Sequence, residues 1–455
     1  MSLHRLEIVV CALAVFMAVG CDSDSSPSTA PPPDSPGGNM PFEQGVALDL
    51  VDPGELLPFT PLPQSATCAV GGTSQQLQLP TGYVQTLVAH EGEGYPDLPD
   101  MQTVNETGPD AGRFLYRTHE LSTNAAVSVT DLESGFTTIL AQRPDWERFD
   151  GLVWTPWGTL LAAEEADPSA VKDPTQPDVT GGHVYEIDPS SGTSRVVTGL
   201  GAKAHEGIRF DKQGNVYGIS ENDPGYVYRF VPATRGDLSR GELFALKLVT
   251  DLGDRTGWGE WVKLDSAAAR IDAQTEAGAK AATSWSRPED VEIGTSTGRD
   301  RRGNHTLYVA VTGEDRVLAI DLHPAGGAPG QVFVSDYVRE GVNAPPDFDF
   351  PDNLALDRSG NLYITEDPGG NGAEGKTSGD DVWFAPFNDA TAARSMPAQR
   401  FLSLTDCDAE PTGIYLSPSG RSLFIDIQHR GGASPEDQTY AIWKLRDVSF
   451  LKQAP

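Results

Sequence analysis

The most regular pattern in the chain is a short apolar run, a turn bearing glycine, and a second apolar run, repeated through its length. Phe149-Asp150-Gly151-Leu152 leads through Gly158 to Leu160-Leu161. His205-Glu206-Gly207-Ile208 leads through Gly214 to Val216-Tyr217, and Pro351-Asp352-Asn353-Leu354 through Gly360 to Leu362-Tyr363. Pro411-Thr412-Gly413-Ile414 with Gly420 is a further copy. Pro288-Glu289-Asp290-Val291 is a looser one, its turn lengthened through Arg301-Arg302-Gly303-Asn304. Short apolar strands bounded by glycine turns predict β-hairpins, and glycine suits the turn because tight hairpins use positive φ. The second strands are expected at Arg113–Arg117, Thr159–Ala163, Asn215–Ile219, Thr306–Ala310, Asn361–Thr365 and Ser422–Ile425. Their spacing, roughly 45 to 60 residues with one gap of about 90, is near the length of a four-stranded propeller blade. The long gap holds an Ala-rich stretch from Asp265 to Thr283 that reads as a helical insertion. The expected fold is all-β: a six-bladed β-propeller over residues 75–455, with a helical insertion near 265–283.

Ahead of that body the pattern changes. His4 and Arg5 precede an apolar stretch from Ile8 to Val19, too short for a membrane span, which ends in Ala18-Val19-Gly20-Cys21. This predicts a lipoprotein signal peptide over 1–20, with Cys21 as the lipid anchor of an exported, membrane-anchored protein. Residues 21–40, rich in Ser, Pro, Asp and Gly, read as a flexible tether, and 41–74 as an N-terminal extension. Cys11 falls in the signal, leaving Cys68 and Cys407 for the mature fold. In an oxidising compartment these suggest one disulfide, with two unpaired buried thiols as the alternative.

A net charge of −32 makes nucleic acid and anionic lipid poor partners; membrane contact is expected only through the anchor, and the protein is expected to be a monomer. The acid surplus suits either bound cations or simply an acidic exported surface. The repeat favours cations. In each hairpin one column, eight residues before the turn glycine in the tightest copies, carries Asp150, Glu206, Glu289, Asp352 or Thr412. In a propeller, equivalent positions of the innermost strands converge on the channel mouth. Carboxylates gathered there raise one another's pKa unless a cation intervenes, and all-oxygen donors favour Ca²⁺ over zinc. Asn353 can add an oxygen. A second set lies where the second strands end: His119-Glu120, Glu164-Glu165, Glu221-Asn222 and Glu366-Asp367. Glu120, Glu164 and Glu165 are candidate further ligands or polar loop residues. Arg287, two residues before Glu289, suits fork-like binding of an oxyanion, or a salt bridge to a neighbouring acid. No nucleophile elbow, P-loop or closely spaced zinc motif is present, so the chemistry these residues permit is metal-activated water or oxide with Lewis-acid polarisation.

Thr155-Pro156-Trp157-Gly158-Thr159-Leu160 followed by Glu164-Glu165, together with His119-Glu120, His205-Glu206, Arg287-Pro288-Glu289 and Pro351-Asp352-Asn353, resembles the PhoX-type alkaline phosphatases in content and order. The resemblance spans about Arg113 to Asp367. It implies an exported six-bladed propeller with calcium and iron at the channel mouth, hydrolysing small phosphomonoesters. It also implies that Glu206, Glu289 and Asp352 ligate metal, and that Arg287 and Glu289 serve catalysis, with Arg287 on the phosphate. Phosphatase members carry a cysteine thiolate iron ligand just before the Glu pair, where this chain has Ala163; calcium is therefore the expected ion, and either an iron site is present in altered form or the metal centre is calcium-only or of another kind. The competing readings are a calcium-dependent lactonase-like hydrolase and a non-catalytic, calcium-stabilised binding propeller.

Overall fold

The computed structural model describes residues 56–73, 75–168, 181–294, 306–368, 376–388, 391, 393–431 and 436–445. The signal peptide, Cys11, Cys21, the tether and the turn through Arg301-Arg302-Gly303-Asn304 lie outside the described residues.

Each apolar repeat becomes an antiparallel hairpin. The first strands are Pro99–Val104, Phe149–Trp154, Ile208–Phe210, Pro288–Ile293, Pro351–Leu356 and Glu410–Leu416. Their partners are Phe114–His119, Leu160–Glu164, Val216–Ile219, Thr306–Val311, Leu362–Glu366 and Ser422–Gln428. The expected second strands are thus all found, within a residue or so except at their C-terminal ends. The first strands neighbour one another in order, and Glu410–Leu416 lies against Pro99–Val104, so they form a closed circuit. Further strands extend most hairpins outward, and apolar side chains pack where successive sheets face each other.

The body is all-β and propeller-like, with one α-helix. Hydrogen bonding does not divide it into six separate sheets. Three sheets have four strands and one has five, while the third and fourth repeats share a ten-stranded sheet. The cause is local: Gly257–Lys263 pairs with both Asp237–Asp251 and Gln331–Arg339, joining the outer edges of two repeats.

The Ala-rich insertion forms a helix over Ser266–Ala279, broken at Asp272. Asp265 caps its N-terminus, accepting from the N–H groups of Ala267 and Ala268. Ala269, Ala273 and Ala277, four apart, make its buried face. The helix ends before the expected Thr283 because Thr283 donates its N–H to Leu246 O in the neighbouring sheet.

The circuit is tied at the chain's beginning. Tyr83–His90 pairs with Gln438–Lys444 and so supplies the outer strand of the last sheet, covering an edge that would otherwise be open. Leu77–Gln78 likewise pairs with Gln399–Leu404. Cys68 is bonded to Cys407, 339 residues away, with Cα atoms 5.1 Å apart. A cross-link over so long a loop is worth about 6 kcal/mol by the chain-entropy argument. The Cys68→Ser, Cys407→Ser double variant is expected to unfold at markedly lower urea concentration than the parent, and thiol counting on denatured, unreduced parent protein to find no free thiol from this pair.

Candidate functional site

The site is made by register. In five of the six hairpins the first strand carries a bulge just after its opening residues, and in the third Glu206 stands just ahead of the strand Ile208–Phe210. The residue at the bulge is Asp100, Asp150, Glu289, Asp352 or Thr412, and these and Glu206 are all buried. Two residues earlier, Leu98, Arg148, Arg287 and Phe350 all have left-handed backbones, with φ of 52°, 37°, 48° and 46°, a conformation uncommon outside glycine. That kink lets their carbonyls accept the N–H groups of Glu120, Glu165, Thr312 and Asp367 at 2.8 to 3.0 Å. It thereby brings the residue just beyond the second strand over the ring. Close approach of neighbouring first strands explains Gly151 and Gly207: a Cβ on Gly151 would lie 2.0 Å from Glu206 O, and one on Gly207 1.9 Å from Asp290 Oδ1.

The two columns meet in a cavity of about 190 Å³ whose wall is charged: Asp100, Glu120, Asp150, Glu165, Glu221, Glu289, Asp352, Asp367 and Glu410, with Arg287 and His429. Two groups of three carboxylates have ligand atoms within 4.8 Å of one another, Asp100/Glu120/Asp150 and Glu206/Glu289/Asp352. Burial, followed by the neighbouring acids, holds the carboxyls of Asp100, Asp150, Glu206 and Glu289 well above the usual carboxylate range. It pushes Asp352 up to about 8. Asp150 Oδ1 and Glu206 Oε2 are buried with no hydrogen-bond partner among the described residues. Arg287 is the guanidinium in the wall. Its Nε lies 2.9 Å from Glu221 Oε1 and 2.8 Å from Glu289 Oε1, and its Nη2 2.7 Å from Asp367 Oδ2. His429 stands 3.7 Å from Glu410. A larger cavity of about 260 Å³ lies toward the other ends of the same strands, beside Trp154, Phe210, Ile293 and Leu416. None of the ring carboxylates lines it, so the chemistry belongs to the smaller one.

The structure brings together Asp150, Glu206, Glu289, Asp352, Glu120, Glu165 and Arg287. Two of the expected ligands stand otherwise. Glu164 is turned away from the cavity: its carboxylate accepts the N–H groups of Glu147, Gly182 and His183, so it fastens backbone. The period-2 alternation of a strand puts Glu164 and Glu165 on opposite sides. Asn353 presents nitrogen rather than oxygen. Its Oδ1 accepts the Gly413 N–H at 2.5 Å, which leaves Nδ2 facing Asp352 Oδ1 at 2.9 Å and Glu206 Oε1 at 3.5 Å. It orients two carboxylates and offers no lone pair to a cation. Thr412 Oγ1 lies 2.8 Å from both Asp100 Oδ1 and Asn353 Oδ1.

Asp100 was missed by the repeat reading. Pro99-Asp100 precedes its turn glycine, Gly112, by twelve residues where the tightest copies have eight, although the Pro-acid pair matches Pro351-Asp352. His429, which follows Gln428 as Asp367 follows Glu366, carried no acid to reveal it.

The donors fit hard cations: two compact sets of buried carboxylate oxygens, some without any other partner, need positive charge to remain ionised. They do not supply a thiolate, since the position before Glu164 is the fully buried methyl of Ala163. A propeller-like fold with two such carboxylate sets at its channel mouth has the makings of a metal centre.

The comparisons with known proteins agree. The family model for alkaline phosphatase PhoX matches residues 153–334 and 317–431, more than half of the chain. The chain belongs to the PhoX alkaline phosphatase family. Among solved structures it is similar to Pseudomonas fluorescens PhoX in complex with vanadate, a transition state analogue: TM-score 0.65, 19% identity, 86% of this chain and 98% of that one. A looser likeness, TM-score 0.44 at 12% identity over 79% of this chain and 99% of the other, is to virginiamycin B lyase from Staphylococcus aureus with quinupristin, and carries no argument. No curated protein matches the chain.

Proposed function

We propose that the protein is a calcium-dependent phosphomonoesterase acting at the channel mouth of a six-bladed propeller, in which the ten-stranded sheet counts as two blades. The observation that carries this reading is the pair of buried carboxylate groups, Asp100/Glu120/Asp150 and Glu206/Glu289/Asp352, beside the Arg287 guanidinium. Glu289 and Asp352, on adjacent first strands, would hold one cation with Glu206, and Asp100, Glu120 and Asp150 another. Bound there, divalent cations supply Lewis acidity toward phosphoryl oxygens and make water a better nucleophile. The chain's own contribution is to hold charge in place. Asn353 fixes Asp352 and Glu206, and the kinked backbone at Arg287 sets the guanidinium beside Glu289. Held there by Glu221, Glu289 and Asp367, the guanidinium would donate to the oxygens of a phosphoryl group, whose charge grows toward the transition state. In the reaction the ester P–O bond breaks, the oxygen of water bonds to phosphorus, and a proton from that water leaves with the alcohol.

Export and anchoring through Cys21 complete the proposal, placing the site where external phosphoesters can reach it. With Ala163 where a thiolate would be needed, the protein is expected to be colourless and to work without iron.

The test is a panel of phosphomonoesters and lactones offered to chelator-treated protein with and without added calcium. Hydrolysis of the phosphomonoesters that requires calcium, and is inhibited by vanadate, supports the reading. Calcium-dependent turnover of lactones alone would replace it with the lactonase, and calcium binding without turnover with the binding propeller. Arg287→Ala is expected to lower kcat/KM by roughly 10²- to 10³-fold, the scale of losing one charge-stabilising donor, while elemental analysis finds calcium content unchanged.

A further inference from the structure

Arg287 has a structural counterpart. Arg148 stands two residues before Asp150 as Arg287 stands two before Glu289, and the backbone at both is left-handed. The carbonyl of each accepts an N–H from across its hairpin, from Glu165 and Thr312 respectively. The other two kinked repeats carry Leu98 and Phe350 at this position, so the backbone form does not itself call for arginine. The Arg148 guanidinium is about one-third exposed, beside Glu165 of the cavity wall. Its Nε donates to Glu165 O at 2.7 Å and lies 3.4 Å from Glu165 Oε2, and its Nη1 lies 3.1 Å from Glu147 Oε1.

These contacts join the two arginines into one arc. Glu165 and Glu221 both line the cavity, and Glu221 accepts from Arg287. The order is Arg148, Glu165, Glu221, Arg287. Two guanidiniums with a pair of carboxylates between them do not converge on one small anion. Arg148, partly exposed beside the wall residue Glu165, carries a second guanidinium, the planar fork that suits phosphate.

We infer that Arg148 is a specificity-determining residue that binds a second anionic group, so that the site favours phosphomonoesters carrying another phosphoryl group. The inference rests on the phosphomonoesterase reading for its substrate, but the anion contact itself does not. The bond broken and the proton carried are those already given; Arg148 acts on binding.

The experiment compares calcium-loaded parent, Arg148→Ala and Arg148→Lys on glucose 6-phosphate and glucose 1,6-bisphosphate, a pair differing by one phosphoryl group. Calorimetric titration with orthophosphate and with pyrophosphate gives a readout that needs no turnover. The parent is expected to show a KM for the bisphosphate about tenfold below that for the monophosphate, and the same order of preference for pyrophosphate. Arg148→Ala is expected to raise KM for the bisphosphate about tenfold, leaving kcat and the monophosphate KM within about twofold, and to erase the preference for pyrophosphate. Arg148→Lys restores part of it, a charge without the fork. Equal loss on both esters would mark Arg148 as merely structural, and no change on either would leave it without a role; both overturn the inference while the phosphatase reading stands. Turnover of neither ester, with a pyrophosphate preference that Arg148→Ala removes, would overturn the phosphatase reading and leave the anion site.

Discussion

Glu289→Gln is expected to cost at least about 10³-fold in calcium-dependent phosphomonoesterase activity and to lower the calcium content of the purified protein. The change keeps the side chain's shape and removes its charge. Glu289 is the member of the Glu206/Glu289/Asp352 group that also touches Arg287, so its loss acts twice: the cation loses a charged ligand, and the guanidinium loses the partner that sets it beside the cavity. Removing one of three charged oxygens from a hard-ion site weakens binding steeply, because calcium affinity follows the count of ligand charges. A fold effect is distinguished by the calcium-free melting temperature, which is expected to rise, since burial makes the ionised form of Glu289 costly in the empty site. A variant with full activity and normal calcium would remove Glu289 from the machinery.

The second large effect is on stability against pH, and its sign follows from the raised carboxyls. In the cation-free protein the folded state keeps protons on Asp352 and its neighbours that the unfolded chain releases near pH 4. The stability that this provides is complete below the unfolded values and is lost as pH rises through the folded ones, about 8 for Asp352. Chelated protein is therefore expected to melt progressively lower between pH 5 and pH 8. Calcium reverses the trend, since it binds the deprotonated groups and stabilises the folded state by mass action. The gap in melting temperature between calcium-loaded and chelated protein is expected to widen from near zero at pH 5 to roughly 10 °C at pH 8.5, the scale of several kcal/mol in a body of this size. Parallel melting curves across that range would mean that the carboxylates are not where the cation binds.

Much of this site is legible in the sequence because a propeller turns position along the chain into position around a channel. Asp150, Glu206, Glu289 and Asp352 share one place in a repeated hairpin, and equivalence in the repeat becomes convergence in space. The same logic did not reach the first repeat. Asp100 sits ahead of a longer turn, and no fixed interval to a glycine marks it. Neither could composition separate Glu164 from Glu165, or assign the role of Asn353. In the first pair the outcome depends on which side of the strand each faces, and for Asn353 on a single N–H from Gly413, a residue sixty positions away. The extent of the sheets was hidden for a different reason. Joining of the third and fourth repeats comes from Gly257–Lys263, an added strand outside the repeated unit.

Calcium titration of chelator-stripped protein, with phosphomonoesterase activity followed in the same samples, tests the central claim most directly. The account predicts that calcium binds at the channel-mouth carboxylates and that activity returns in proportion to occupancy. Calcium that fails to bind, or that fills the protein without restoring hydrolysis of any phosphomonoester, would contradict it.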